Sequence, residues 1–147
     1  MPTNKNESFV NDLDLWAYRA SASDETAQDV ASIAAGATYS TLTYAIAINI
    51  NQLKILKISM KSTGGNASAA SAVTFHWQVT NTIVADVPVW SDTDATFTTV
   101  MTQNGTTAKQ ISALVRVSGK YLRCLKVVNA DTSYTATAVN AKVNSNG

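Results

Sequence analysis

Along most of this chain apolar and polar residues alternate with a period of two, the pattern of strands that turn one face inward. The clearest stretch runs from Val73 to Thr80, where Val73, Phe75, Trp77 and Val79 alternate with Thr74, His76, Gln78 and Thr80. Leu53 to Lys61 places Leu56, Ile58 and Met60 on one side and Lys57, Ser59 and Lys61 on the other. Lys54, Lys57 and Lys61 are spaced by three and four, as on a helix, but the isoleucines lose rotamer freedom in a helix and favour a strand. Tyr39 to Ile50 sets Leu42, Tyr44, Ile46, Ile48 and Ile50 on one face. A first strand is expected where Leu13, Leu15 and Ala17 alternate with Asp14, Trp16 and Tyr18. Between them, residues 21–38 admit a short helix begun at Ser23-Asp24-Glu25-Thr26 and closed at Gly36, or a loop with a short strand around Val30 and Ile33. The second reading is favoured.

The later part continues in the same way. Ile83 to Val89 reads as a strand ended by Pro88, which belongs at an edge or a bend. Thr96 to Thr102, Ile111 to Val117, Tyr121 to Val128 and Tyr134 to Val143 follow. Turn chemistry separates them: Gly64-Gly65-Asn66 within a flexible stretch from Ser62 to Ser71, Trp90-Ser91-Asp92-Thr93-Asp94, Asn104-Gly105, Ser118-Gly119 and Asn129-Ala130-Asp131. About eight short strands so punctuated predict an all-β antiparallel sandwich, jelly-roll-like, over residues 13–147. Its core is expected to hold Leu56, Ile58, Met60, Val73, Phe75, Trp77, Val79, Val115 and Val117. Residues 1–12 are polar and read as an N-terminal arm.

Composition changes the picture in one respect. Charged residues make up only 14% of the 147 residues, against roughly 25% in an average domain. Serine and threonine fill the gap with 33 positions. Hydroxyls are less costly to desolvate than ions, so such a surface suits packing against neighbours. The net charge is +1 and no basic block occurs, which removes the usual footprint of a nucleic-acid binder. The opening Met1-Pro2-Thr3-Asn4-Lys5-Asn6-Glu7 lacks the apolar core of a signal peptide and no stretch approaches a membrane span, so cytoplasmic synthesis without membrane attachment is expected.

Candidate chemistry is sparse. The single histidine, His76, falls on the strand face opposite Phe75 and Trp77, and nothing sets it beside the single cysteine, Cys124; a catalytic dyad is not expected and neither is a zinc site. Asp92 and Asp94 share a turn that would suit a calcium ion or, more simply, an Asx-type turn. The sequons at Asn6, Asn66 and Asn104 match the number chance supplies in a chain this rich in Asn, Ser and Thr. Trp16, Trp77 and Trp90 suggest a sugar-stacking platform, but the alternation puts Trp77 in the core. Trp16 and Trp90 remain as interface anchors, since aromatics concentrate there. In the arm, Phe9 and Val10 are the apolar groups and Lys5 a charge with which it would hold a neighbouring subunit.

The run Val115-Arg116-Val117-Ser118-Gly119-Lys120-Tyr121-Leu122-Arg123-Cys124-Leu125-Lys126-Val127-Val128, followed by Thr135-Ala136-Thr137-Ala138-Val139-Asn140-Ala141-Lys142-Val143, resembles the closing pair of strands in small phage head proteins. The family is that of bacteriophage capsid cement proteins, typified by Bordetella-phage-like cement proteins, in which a Tyr-Leu-Arg strand precedes a final Thr/Ala/Val strand. The front end, with Ser21-Ala22-Ser23-Asp24 after a first strand, is similar as well. So is Ser91-Asp92-Thr93-Asp94-Ala95-Thr96-Phe97 after a Trp-containing strand. The chain departs from the family in its longer arm and low charge. The resemblance implies a jelly-roll-like sandwich, often a homotrimer, that binds the major capsid protein at local threefold axes on the outer surface of a virion. It implies no catalytic residue and no cofactor. Lys5, Phe9, Val10, Trp16 and Trp90 then stand as the candidate capsid or subunit contacts. A tail or head-fibre component and a carbohydrate-binding sandwich are the alternatives.

Overall fold

β-branched and hydroxyl residues favour extended backbone, and the computed structural model is built from strands; it describes residues 25–40 and 45–144, with backbone alone for 49–54. The strands are β1 (Glu25–Ile33), β2 (Thr38–Tyr39), β3 (Ala45–Gly64), β4 (Ala72–Thr80), β5 (Ile83–Val84), β6 (Val87–Pro88), β7 (Ala95–Thr102), β8 (Lys109–Asn129) and β9 (Ala136–Asn144). Seven of them form one antiparallel sheet in the order β1-β9-β3-β8-β4-β7, with β2 also on β8, while β5 and β6 pair with each other. The expected strand at 13–18 and the arm at 1–12 lie outside the described residues.

Two strands organise the sheet. β3 has 20 residues and β8 has 21, and they pair from Ala45↔Arg123 to Ser62↔Lys109. The C-terminal part of β3 carries β9 on its other side, from Lys57↔Asn144 to Gly64↔Ala136. The C-terminal part of β8 carries β4, from Val73↔Asn129 to Thr80↔Tyr121. The shared pair thus belongs to two halves, β1-β9-β3-β8 and β3-β8-β4-β7, and the sheet curls so that both halves bury their inner faces in one apolar cluster. This is the all-β antiparallel sandwich that the alternation predicts.

The long strands correct the sequence reading at two places. Tyr39–Ile50 and Leu53–Lys61 are not two strands: Tyr39 lies in β2, and Ala45 to Gly64 is continuous. Ser118-Gly119 is likewise no turn but the middle of β8. What it does is turn the strand from one half to the other. Before it, Val117 is buried; after it, Leu122 and Cys124 are buried, so the inward face changes parity. The register against β3 shifts between Ala47 and Ile50 and again between Ile50 and Lys54. Sandwich corners are made by such bulges in strands that change layer. A Cβ on Gly119 would overlap the Cγ1 methyl of Val79, so the corner needs a residue without one.

Further differences are local. Residues 25–33 form a nine-residue strand rather than a short one. Ser62 belongs to β3 and is buried, not part of a flexible turn. Of the expected core, Leu56, Ile58, Met60, Val73, Phe75, Trp77, Val79 and Val117 are buried; Val115 is half-buried and packs against the cluster. Trp77 stacks between Phe75 and Phe97, at centroid separations of 6.4 and 6.2 Å, and its indole N–H donates to Thr99 Oγ1 at 2.8 Å. Burying an indole therefore leaves no unpaired donor. At the end of β8, fully buried Asn129 donates to the carbonyls of Ile33, Ala34 and Tyr134 and accepts from the Asp131 N–H, tying three chain segments together.

Candidate protein-binding surface

The segment read as a strand over 83–89 is a hairpin. Ile83 pairs with Pro88 and Val84 with Val87, leaving Ala85 and Asp86 as a two-residue turn with φ of 50° and 64°. Two positive φ values mark a type I′ turn, which usually takes Asn-Gly; Ala and Asp hold it against roughly 1 kcal/mol of strain each. The sequence carries little sign of it: Ile83, Val84, Val87 and Val89 make a run of β-branched side chains, and Ala85-Asp86 is not the dipeptide such a turn usually takes.

This hairpin presents side chains that a core would normally take. Val84 and Val87 are each 61% exposed and Val89 41%, three of the six large apolar side chains exposed among the described residues. Its root, by contrast, is fixed. Thr80 Oγ1 donates to the Val89 carbonyl at 2.7 Å and accepts from the Thr82 N–H at 3.1 Å, and the Val89 N–H donates to the Thr82 carbonyl at 2.9 Å. An apolar finger on a tied base loses little entropy when a partner covers it.

Trp90 follows the finger and anchors it. The Arg123 guanidinium lies over its ring, 4.2 Å from the centroid, a cation–π contact. Arg123 Nε donates to Gln78 Oε1 at 2.8 Å, and Gln78 Nε2 donates to the Ser91 carbonyl at 2.8 Å. Asp94 Oδ2 accepts from the Ser91 N–H at 2.7 Å, so this carboxylate closes its own turn. Among the described residues no three His, Cys, Asp or Glu side chains gather as metal ligands. Of the other contact candidates, Lys5, Phe9, Val10 and Trp16 lie outside the described residues, and Trp77 is buried and stacked. His76 pairs in register with Lys126 on one side and Thr98 on the other; burial first, and Lys126 second, lower its pKa. Cys124 faces the core opposite Trp77, so Cys124 and His76 project to opposite sides of the sheet. Burial pushes the Cys124 thiol up to about 12, with its S–H directed at the Lys126 carbonyl.

No helix among the described residues is long and apolar enough to cross a membrane. Compared with sequence models of known families and with curated protein sequences, the chain gives no match. What the fold and the surface define is an antiparallel β-domain with an apolar hairpin set out beside its corner.

Proposed function

We propose that the protein is a virion structural component, a capsid cement or decoration protein that seats on the major capsid protein shell of a tailed phage as a homotrimer. The observation that carries this reading is the hairpin, with Val84, Val87 and Val89 exposed on a base tied to β4. Exposed apolar groups on an anchored finger suit a protein partner, because covering them stabilises the complex by about 25 cal/mol per Å² of apolar surface removed from water. The hydroxyl-rich composition supports the same reading. So does the resemblance of the Val115–Val128 and Thr135–Val143 runs to the closing strands of cement proteins. As a non-enzymatic module it would add strength to a shell that others build, with several copies joined so that modest contacts act together.

Shells assembled with and without the protein test this. Those lacking it should form normally and then burst at lower temperature or under milder osmotic shock. A Val84→Ser/Val87→Ser protein should melt with the parent yet fail to decorate. Equal robustness of bare and decorated shells would refute cementing.

A further inference from the structure

The half formed by β1, β9, β3 and β8 turns a second face to solvent, and its side chains follow from the register. On β3, Ile55, Lys57, Ser59 and Lys61 alternate with buried Leu56, Ile58 and Met60. Of the four, Ser59 is itself buried, and its hydroxyl meets that of Ser112 at 3.0 Å. The ladder then reads in rows. Asn144, Lys57 and Leu114 lie side by side; so do Lys142, Ser59 and Ser112; and so do Asn140, Lys61 and Gln110. Arg116 lies opposite Ile55. Lys57, Lys61, Arg116 and Lys142 therefore share one face, with Asp29 of β1, opposite Asn140, as the carboxylate on it. No ion pair holds these four cations among the described residues. Between them lies a depression of about 200 Å³ lined by Ser59, Lys61, Gln110, Asn140 and Lys142. Each of those side chains offers a hydrogen-bond donor.

We propose that this face docks a carboxylate-bearing strip of a partner protein, with the depression between Lys61 and Lys142 taking a carboxylate. The inference rests on the reading of the chain as a protein-binding module and names the chemistry of the surface it meets. Two ammonium groups, a hydroxyl and two amides supply donors for all the lone pairs of a carboxylate. Lys57 and Lys61 stand four residues apart on β3, about 13–14 Å, and an extended acidic segment presents the side chains of one face at half that spacing, so every second one of them can meet a cation. A protein is favoured over a nucleic acid because Ile55 and Leu114, 38% and 69% exposed, stand among the cations. A phosphate backbone would leave them uncovered, whereas a protein surface buries apolar groups within a polar rim.

The full chain can be titrated against a fluorescein-labelled peptide of alternating glutamate and serine, at low salt, by fluorescence anisotropy. The native protein should bind it, and added salt should weaken binding. Lys61→Gln/Lys142→Gln should weaken it about fivefold or more, the loss of two screened charge contacts. Lys120→Gln/Lys126→Gln makes the same change in net charge away from the depression and should leave affinity within about twofold of native. Equal weakening by both double variants would reduce the effect to overall charge and overturn the site. Tighter binding of single-stranded DNA or a heparin oligosaccharide than of the peptide would overturn the choice of partner. Because no shells enter the assay, its failure leaves the hairpin's role in decoration standing. Unimpaired decoration by Val84→Ser/Val87→Ser with peptide binding intact sinks the cementing contact alone.

Discussion

Gly119→Ala is the sharpest probe of the corner, because three readings of Ser118-Gly119 give three different signs. In an exposed turn without positive φ the change is close to neutral. In a straight strand it should stabilise by about 0.5–1 kcal/mol, since glycine loses more backbone entropy on folding. At the corner the new Cβ runs into Val79 Cγ1, and Val79 is a buried, stiff, β-branched side chain. Overpacking of that kind costs about 1–3 kcal/mol, which outweighs the entropic gain. The net expectation is a loss of about 1–2 kcal/mol, or roughly 3–6 °C in melting temperature for a domain of this size. Val79→Ala alone removes two buried methyl groups and should cost about 2 kcal/mol. Combined, the substitutions should cost less than their sum, by at least about 1 kcal/mol, because the methyl group added in Gly119→Ala then occupies the space that Val79 vacates. Urea unfolding followed by tryptophan fluorescence measures all four corners of the cycle, with Trp77 as the buried reporter. A neutral or stabilising Gly119→Ala, or additivity within about 0.5 kcal/mol, would refute the corner.

Phe75→Ala should destabilise by about 3–5 kcal/mol, since Phe75 is fully buried and stacks on Trp77; a melting temperature unchanged within measurement would reverse the face assignment of β4. Cys124 should resist thiol reagents at neutral pH while the protein is folded and react at once in denaturant, because burial raises its pKa to about 12; labelling of the native protein would contradict its place opposite Trp77. Asp131 accepts the N–H groups of Ser133 and Tyr134, and those bonds, the Ser133 one foremost, hold its pKa below the usual aspartate value. A depressed folded pKa means that its contribution is present above about pH 4 and is lost as pH falls through the folded value. Asp131→Asn should therefore lose less stability than the parent between about pH 6 and about pH 3; an identical acid dependence would assign the loss elsewhere.

The alternation makes the fold class and most of the core readable in the sequence, because period-2 patterning reports which face is buried wherever one face is buried. Leu56, Ile58, Met60, Phe75 and Trp77 are all inside, as that pattern requires. It could not tell a turn from a corner. Ser118-Gly119 has turn composition, and the parity change across it resembles the end of one strand and the start of another. Only the neighbour, Val79, explains the glycine, and a neighbour 40 positions away in the chain is invisible to local pattern. The same blindness hid the hairpin. Val84 and Val87 look like core residues in a run of branched side chains, and their exposure follows from an Ala-Asp turn that propensity disfavours. Trp90 stands out in the sequence by its type alone, whereas its place at the base of the hairpin depends on Arg123 and Gln78 from two other strands. The basic face was hidden too, since its charges are far apart in sequence and only the β3 register with β8 and β9 sets them side by side.

The corner also relates the hairpin, on which the proposed role depends, to the basic face. The hairpin follows Thr80, which pairs with Tyr121 two residues past Gly119. Arg116, at one end of the basic face, stands three residues before it. An apolar finger and a charged face thus leave the molecule on either side of a bend that cannot relax without moving Val79. Separately each surface is small, and exposed charge contacts contribute only about 0–1 kcal/mol apiece. If one partner met both surfaces, the second contact would form at high effective concentration once the first had formed. A partner that offered a flat surface would satisfy one of them and leave the other in water. On the proposed role, the partner that would cover both is a step or groove, apolar on one wall and acidic on the other.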